Sequence, residues 1–292
     1  QGWNPCWSAC VFMGTCTGAG ARVGAVSQSV MGTRRVLLVV DVQQDFCEAG
    51  SLAVPGGDEV VPVVNALALD TGDFFQEVVY SQDWHPADHC SFASNHEGAQ
   101  PFTTRELPGI GAQEMWPVHC VQGSPGAEFH PDLKIREGAT IQRKGVHQDI
   151  DSYSAFFDNG RRFQTELHDV LSSKGVTEVY CVGLALDFCV QFTASDAASL
   201  GYTTFLIEDA ARGISAEGVK QARQKLADLG VLCVDLSLVA ARATQEGGDW
   251  ERAAIHEVTK FVEEHKAVAQ HPSLEEKAAA VADLAKRMHP AS

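Results

Sequence analysis

Residues 36–41 read VLLVVD, five apolar side chains followed by a carboxylate. Similar apolar runs recur along the chain, at 77–82, 139–143, 178–184, 203–208 and 231–235. Helical patterns lie between the runs, near 58–70, 161–173, 187–200 and 215–229. Near-continuous apolar runs suit parallel strands that are covered on both faces. The alternation of strands and helices therefore predicts an α/β sandwich with ligands at the carboxyl ends of the strands.

The composition is that of an ordinary globular chain, with 45% hydrophobic and 21% charged residues. Its 292 residues are enough for one large domain or two small ones. The formal net charge of -16 repels phosphate groups, so nucleic acid and anionic membranes are poor candidate partners. The 9 cysteines form no C-x-x-C pair, which favours reduced thiols in an intracellular compartment over a disulfide framework.

Both ends of the chain differ from the segment 34–240, which we interpret as the main domain. Residues 1–33 form an extension without periodicity, interpreted as a disordered segment, a targeting remnant or upstream translated sequence. A transit peptide is the less favoured alternative, because Arg22 is the single basic residue among the first 30. Residues 241–292 carry two apolar helical stripes, broken near Pro272. They predict two helices that pack on the core or on a second subunit, with a regulatory role as the alternative.

Cys189 is the first candidate for a chemical role. It falls in the first turn of the helix predicted from Asp187, where free N–H groups and the helix dipole favour a thiolate. The alternative is a small buried apolar side chain, the usual fate of a free cysteine. Position alone does not decide between the two interpretations.

Two charged residues lie where other predicted strands end. Asp41 closes the first strand and could act as a general base toward a thiol, although a loop-capping carboxylate is the alternative. Lys144 follows the run 139–143, and an ammonium there would favour both a carboxylate and a thiolate. A solvated strand-end lysine is the alternative.

Asp83 and His85 are two residues apart, so an extended chain points both side chains the same way. With His119 they could form a mixed nitrogen and oxygen site for zinc, iron or manganese. His89 is a candidate fourth ligand. The alternative is a pair of surface histidines stacked on Trp84.

Taken together, five segments resemble the nicotinamidase family within the isochorismatase-like cysteine hydrolases. They stand in the family's order: DVQQDFCEAGSLAVPGG (41–57), QDWHPADHCSF (82–92), WPVHCVQGSPGAEFHPDL (116–133), RKG (143–145) and VGLALDFCV (182–190). The resemblance covers roughly 35–240. It implies a doubly wound central parallel sheet of about six strands with helices on both faces. The C-terminal helices predicted from the apolar stripes lie outside the resemblance and are appended to this fold.

The resemblance also implies roles for individual residues. The catalytic triad is Asp41, Lys144 and Cys189, and the metal ligands are Asp83, His85 and His119. His89 matches a histidine that is a ligand in some members and not in others. The pyridine pocket is lined by Phe46, Trp116 and Tyr153. Leu184–Ala185 matches a non-proline cis peptide, and the N–H groups of Ala185 and Cys189 would form the oxyanion hole.

The implied reaction is hydrolysis of nicotinamide to nicotinate and ammonia through a Cys189 thioester, feeding NAD salvage. One divalent metal ion is expected, zinc first, with iron or manganese as alternatives. We expect a cytoplasmic enzyme that binds this small substrate and neither nucleic acid nor membrane, with homo-oligomer formation and organelle targeting left open. Two rivals stay open: a related hydrolase acting on an isochorismate-like, carbamoyl or ureido substrate, and a catalytically silent pyridine-binding or metal-binding protein.

Overall fold

The computed structural model describes residues 32–237 together with Val239 and Arg242. The predicted extension 1–33 lies outside these residues except for its last two positions. The predicted helical tail 241–292 lies outside them except for Arg242. The domain boundaries at both ends therefore stay predictions. No helix in the described part of the chain is both long and apolar enough to cross a bilayer.

The described chain contains a six-stranded sheet in which every neighbouring pair is parallel. Its strands are β1 (Arg35–Val40), β2 (Glu77–Asp83), β5 (Thr140–Lys144), β6 (Glu178–Leu184), β7 (Thr203–Arg212) and β8 (Leu232–Val234). A separate antiparallel hairpin comprises β3 (Thr103–Leu107) and β4 (Gly111–Met115). The sheet order is β5-β2-β1-β6-β7-β8, so the sheet grows outward from β1 in both directions. In such a doubly wound sheet the crevice opens where the order reverses, between β1 and β6.

Helices cover both faces of this sheet. They are α1 (Val60–Leu69), α2 (Leu167–Ser173), α3 (Gln191–Ser199) and α4 (Ala216–Asp228). Alternate residues of a strand point to opposite faces, and β1 shows this directly. Leu37 and Val39 belong to the apolar cluster that includes α1, whereas Leu38 belongs to the cluster that includes α2, α3 and α4. The predicted fold class is confirmed.

The two central strands approach closely where the crevice begins. Gly183 of β6 has φ 108°, and a Cβ at this position would collide with the carbonyl oxygen of Val40 on β1. Glycine is needed for both reasons, because it has no Cβ and tolerates positive φ. The backbones of β1 and β6 can therefore pair up to the point where the candidate site residues follow.

One local prediction was wrong and a second is refined. The helix expected from residue 161 begins at Leu167. Asp158 Oδ1 accepts hydrogen bonds from the backbone N–H groups of Gly160 (2.8 Å) and Arg162 (3.0 Å), and such local bonds compete with helix formation. The helical segment expected at 187–200 is present, but its first turn, Leu186–Val190, is π-helical, and α3 follows from Gln191.

Candidate active site

Asp41, Lys144 and Cys189 meet at the carboxyl edge of the sheet. Asp41 follows β1, Lys144 ends β5, and Cys189 lies in the π-helical turn that follows β6. All three are buried. Lys144 Nζ lies 2.9 Å from Asp41 Oδ2 and 3.3 Å from Cys189 Sγ. It also lies 2.6 Å from Asp83 Oδ1 and donates to the Ser152 carbonyl at 2.9 Å. The ammonium therefore joins the predicted triad to the predicted metal site.

The two oxygens of Asp41 have different surroundings. Oδ1 accepts a 2.7 Å hydrogen bond from the hydroxyl of Ser81. Oδ2 forms the ion pair with Lys144, and within residues 32–237 it has no directed hydrogen-bond partner. An Asp41 oxygen also lies within 4.8 Å of Cys189 Sγ. A role for Asp41 as base toward the thiol stays a prediction.

Burial decides the resting protonation of this cluster. Burial raises the pKa of the Cys189 thiol well above its ordinary value, although Lys144 acts in the opposite direction. Burial likewise raises the pKa of Asp41 against the influence of Lys144. For Lys144 burial opposes the charge, but Asp41 and Asp83 outweigh it and raise the pKa well above its ordinary value. Lys144 thus favours the thiolate as expected, but burial outweighs it and keeps the pKa of the Cys189 thiol high.

The predicted metal ligands also converge. Asp83 ends β2, and its Oδ2 lies 3.4 Å from His85 Nε2 and 4.0 Å from His119 Nε2. His85 Nδ1 is 2.8 Å from the Gly145 carbonyl, and His119 Nδ1 is 2.8 Å from the Pro117 carbonyl. A carbonyl at Nδ1 fixes the proton there and leaves the Nε2 lone pair for a metal. Together these donors fit one divalent ion of the zinc, iron or manganese type.

Charge and space at this site agree with that use. Burial opposes the charge of Asp83, but Lys144 and His85 hold its pKa far below its usual range. Burial and the neighbouring His85 lower the pKa of His119 to about 4, so this imidazole is neutral near pH 7. A Cβ at Gly145 would collide with the ring of His85, so glycine there gives the imidazole room.

His89 stands beside the three predicted ligands rather than among them. Its ring stacks on His85 with the ring centroids 4.1 Å apart. Its Nδ1 lies 2.8 Å from Ser91 Oγ and its Nε2 lies 3.2 Å from the Ile150 carbonyl. A second group of metal-type donors brings it together with His85 and Asp151. A role for His89 as ligand stays a prediction.

The predicted pocket residues surround the same crevice. Phe46 packs on His119 with the ring centroids 5.6 Å apart, and Trp116 Nε1 donates to the Tyr153 hydroxyl at 3.1 Å. Phe188, which the sequence reasoning did not assign to the pocket, packs edge-on against Trp116 at 4.9 Å and lies 5.5 Å from Tyr153. The sequence signal that could have assigned Phe188 to the pocket was its position next to Cys189.

Sequence reasoning also missed two supporting residues. Ser81 precedes Asp83 by two positions on β2, so strand alternation could have placed it on the same side. Gln43 is fully buried, and its side chain forms hydrogen bonds with both backbone groups of Asp83. Its Oε1 accepts from the Asp83 N–H at 2.8 Å, and its Nε2 donates to the Asp83 carbonyl at 2.9 Å.

The Leu184–Ala185 peptide is cis, as expected from the resemblance. It joins β6 directly to the π-helical turn that carries Cys189. The Ala185 carbonyl accepts hydrogen bonds from Phe188 N at 3.0 Å and from Val190 N at 3.1 Å. The oxyanion-hole role of Ala185 and Cys189 stays a prediction.

Known proteins match this architecture. The isochorismatase domain family matches residues 35–237, which contain every residue of the candidate site. The chain belongs to the isochorismatase family. Within that family its relatives include nicotinamidases, as the sequence resemblance indicated. The nicotinamidase of Acinetobacter baylyi is 47% identical over 67% of this chain and 89% of the relative.

Solved structures give the same assignment. The yeast nicotinamidase Pnc1p bound to the inhibitor nicotinaldehyde is 34% identical, with a TM-score of 0.65 over 69% of this chain and 99% of that one. The pyrazinamidase of Pyrococcus horikoshii in complex with zinc is 34% identical, with a TM-score of 0.59 over 70% of this chain and 99% of that one. The doubly wound sheet and the domain are therefore those of this family.

Proposed function

We propose that this chain is an enzyme that hydrolyses nicotinamide to nicotinate and ammonia. The observation that carries the proposal is the buried contact of Lys144 with both Asp41 and Cys189, at 2.9 and 3.3 Å. Nicotinamidase is the activity named for the Acinetobacter baylyi relative, and the yeast structure holds an aldehyde named as an inhibitor. A silent binding protein would not require a nucleophile, a base and a cation in one buried cluster.

The first half of the reaction forms a thioester. Asp41 Oδ2 takes the proton of Cys189, while Lys144 stabilises the resulting charges. The sulfur attacks the amide carbon, a C–S bond forms, and the carbonyl electron pair moves onto oxygen. Backbone N–H groups of Ala185 and Cys189 stabilise this oxyanion. Asp41 then donates its proton to the amide nitrogen, the C–N bond breaks, and ammonia leaves.

The second half regenerates the thiol. Water attacks the thioester carbon while Asp41 accepts one of the water protons. The C–S bond breaks, Asp41 returns its proton to the sulfur, and the nicotinic acid that forms loses its remaining proton to solvent and leaves as nicotinate. Burial raises the pKa of both Asp41 and Cys189, so each group can hold the proton that passes between them. The nicotinate produced would enter NAD salvage.

Asp83, His85 and His119 would hold one divalent metal ion, with zinc as the first expectation and iron or manganese as alternatives. A neighbour in this family is described in complex with zinc. Bound there, the ion would supply Lewis acidity and a positive charge beside the substrate. The three residues themselves orient the site, because the Gly145 and Pro117 carbonyls fix both imidazoles. His89 stacks on His85 and restricts that ring from one side.

The aromatic residues suit a flat, neutral substrate. Phe46 and Trp116 are buried, and Trp116 and Tyr153 are held together by a hydrogen bond. Aromatic walls of this kind bind a ring by offset or edge-on packing. We therefore expect a pyridine carboxamide to bind better than an open-chain ureido or carbamoyl substrate.

The test is ammonia release from nicotinamide by the purified chain, with metal content measured on the same sample. Cys189→Ala should abolish release, whereas Cys233→Ala, which alters an exposed thiol on β8, should leave it unchanged. A panel of nicotinamide, pyrazinamide and a ureido compound separates the related hydrolases. Turnover by Cys189→Ala would overturn the nucleophile, and preference for the ureido compound would overturn the substrate.

A further inference from the structure

The turn that carries Cys189 is tied to a second loop through the side chain of Asp187. Asp187 is buried and lies two residues before the nucleophile. Its Oδ1 accepts from the backbone N–H of Ile214 at 2.9 Å, and its Oδ2 accepts from the backbone N–H of Ser215 at 3.0 Å. The hydroxyl of Ser215 lies 3.4 Å from Oδ2. One carboxylate thus joins the π-helical turn to the segment immediately before α4.

This segment is shaped to receive the carboxylate. A Cβ at Gly213 would come within 2.9 Å of Asp187 Oδ1, and a Cβ at Gly218 would come within 2.5 Å of Asp187 Oδ2. Real Cβ atoms do not approach other atoms so closely without displacing them. Glycine on both sides therefore leaves a cleft that the Asp187 carboxylate fills.

The hydrogen bonds at the start of the turn are local. Phe188 N and Val190 N both donate to the Ala185 carbonyl. The Asp187 carboxylate adds bonds to a segment 27 and 28 residues further along the chain, and these bonds bear on where the turn lies relative to the strand ends that carry Asp41 and Lys144. The 3.3 Å contact between Cys189 Sγ and Lys144 Nζ depends on that placement.

We propose that Asp187 is a positioning residue, which docks the nucleophile turn onto the loop before α4 and so sets the place of Cys189 against Lys144 and Asp41. The inference rests on the proposed role of Cys189 as nucleophile. Asp187 touches none of the reacting atoms, so its effect passes through the backbone of the turn. A shift of about 1 Å in such a group is enough to lower a rate by about a hundredfold.

The informative change is Asp187→Asn, which keeps the size of the side chain. The carboxylate accepts from two backbone N–H groups, whereas the amide can accept with its oxygen alone and presents N–H to the other donor. One of the two hydrogen bonds from the backbone is therefore lost, and two N–H groups face each other in its place. We expect kcat for nicotinamide to fall at least about tenfold, with KM within about threefold of wild type. The reason is that the change displaces the reacting sulfur and leaves the pocket that binds the substrate in place.

Two further variants separate docking from stability. Gly218→Ala pushes a Cβ from α4 toward both Asp187 Oδ2 and Ser215 Oγ, and it should reproduce the loss of kcat without any substitution in the turn itself. Ser215→Ala removes the hydroxyl that caps α4 by accepting from Gly218 N at 3.0 Å and that lies 3.4 Å from Asp187 Oδ2, but it leaves both backbone donors to Asp187 in place. It should lower stability by an ordinary N-cap loss while keeping kcat within about twofold.

A second measurement does not depend on nicotinamide. Iodoacetamide modifies Cys189 at a rate set by the position and exposure of its sulfur, and the exposed Cys233 provides an internal standard in the same chain. Asp187→Asn should change the relative rate at Cys189 by more than about threefold, whereas Ser215→Ala should not. If wild type fails to hydrolyse nicotinamide, the proposed function fails, and the alkylation rates still test the docking.

The proposal is overturned if folded Asp187→Asn keeps both kcat and the relative alkylation rate within about twofold of wild type. It is also overturned if Ser215→Ala loses as much kcat as Asp187→Asn, because the effect would then come from fraying of α4. Parallel losses of kcat in Asp187→Asn and Gly218→Ala, with Ser215→Ala near wild type, support it.

Discussion

Lys144→Met removes a buried ammonium from between two carboxylates and keeps the length of the side chain. Lys144 is 1% exposed, with Nζ 2.9 Å from Asp41 and 2.6 Å from Asp83. The change leaves both carboxylates without this cation in the metal-free protein. It also removes the 3.3 Å contact to Cys189 Sγ, so both stability and activity should respond.

The expected size follows from the geometry. At these distances and an effective dielectric of about 20, each attraction is about 6 kcal/mol. Desolvation of the three ions offsets this attraction by several kcal/mol per ion. Removal of one partner of a buried ion pair typically costs about 3–5 kcal/mol of stability. That is a large part of the roughly 5–15 kcal/mol that holds a domain folded. The loss of Lys144 should also raise the pKa of Asp41 further, since Lys144 lowers it in wild type.

The assay is urea unfolding of the metal-free protein at pH 7, followed by ammonia release from the metal-loaded enzyme. Lys174→Met is the matched control, because Lys174 pairs with Glu77 in a partly exposed ion pair. The control should lose at most about 1 kcal/mol and keep its activity. Lys144→Met should lose about 3–5 kcal/mol and at least a thousandfold in kcat. A loss no larger than the control's, or turnover within about tenfold of wild type, would refute the reasoning.

Three further outcomes are expected. Dialysis against a chelator should remove one metal ion per chain together with most activity, and added zinc should restore both. The His119→Ala variant should not take up zinc again. Full turnover by enzyme verified to be metal-free would contradict this prediction. Ser81→Ala should lower kcat about tenfold, because it removes the 2.7 Å hydrogen bond to Asp41 Oδ1, and a change below about twofold would show that this bond does not matter. Burial and His85 lower the pKa of His89 to about 4, below the roughly 6.5 of the unfolded chain. The unfolded state therefore binds a proton at a higher pH than the folded state does. The contribution of His89 to the free energy of unfolding is complete above pH 6.5 and is lost as the pH falls toward 4, with a loss of about 2 kcal/mol at pH 5. Unfolding of His89→Gln, which lacks this titration, should show a correspondingly smaller difference between pH 8 and pH 5.

The central sheet could be predicted because its strands are buried on both faces. The run VLLVVD leaves no polar position except the terminal carboxylate, and β1 is buried along its whole length. The hairpin of β3 and β4 gave no such signal. Residues 103–107 read TTREL, and four of these five residues are exposed, so neither an apolar run nor an alternating pattern marks the strand.

The sequence could predict those residues of the candidate site that lie at the ends of strands. Asp41 and Lys144 follow strands, and parallel strands bring such positions to one edge. The carbonyl of Ser152 could not be predicted, because any residue supplies a carbonyl and its position depends on a loop. The protonation of Cys189 was also beyond the sequence. The sequence indicated a thiolate from helix position and Lys144, but burial in the folded chain outweighs Lys144 and raises the pKa of the Cys189 thiol.

In the proposed reaction Cys189 carries the acyl group. Acid quenching of the enzyme during turnover of nicotinamide, followed by digestion and mass spectrometry, tests this directly. We expect a nicotinoyl adduct on the peptide that contains Cys189, at a level that falls as substrate is consumed, and no adduct in Cys189→Ser. Steady turnover with an adduct on another residue, or turnover by Cys189→Ser, would contradict the claim.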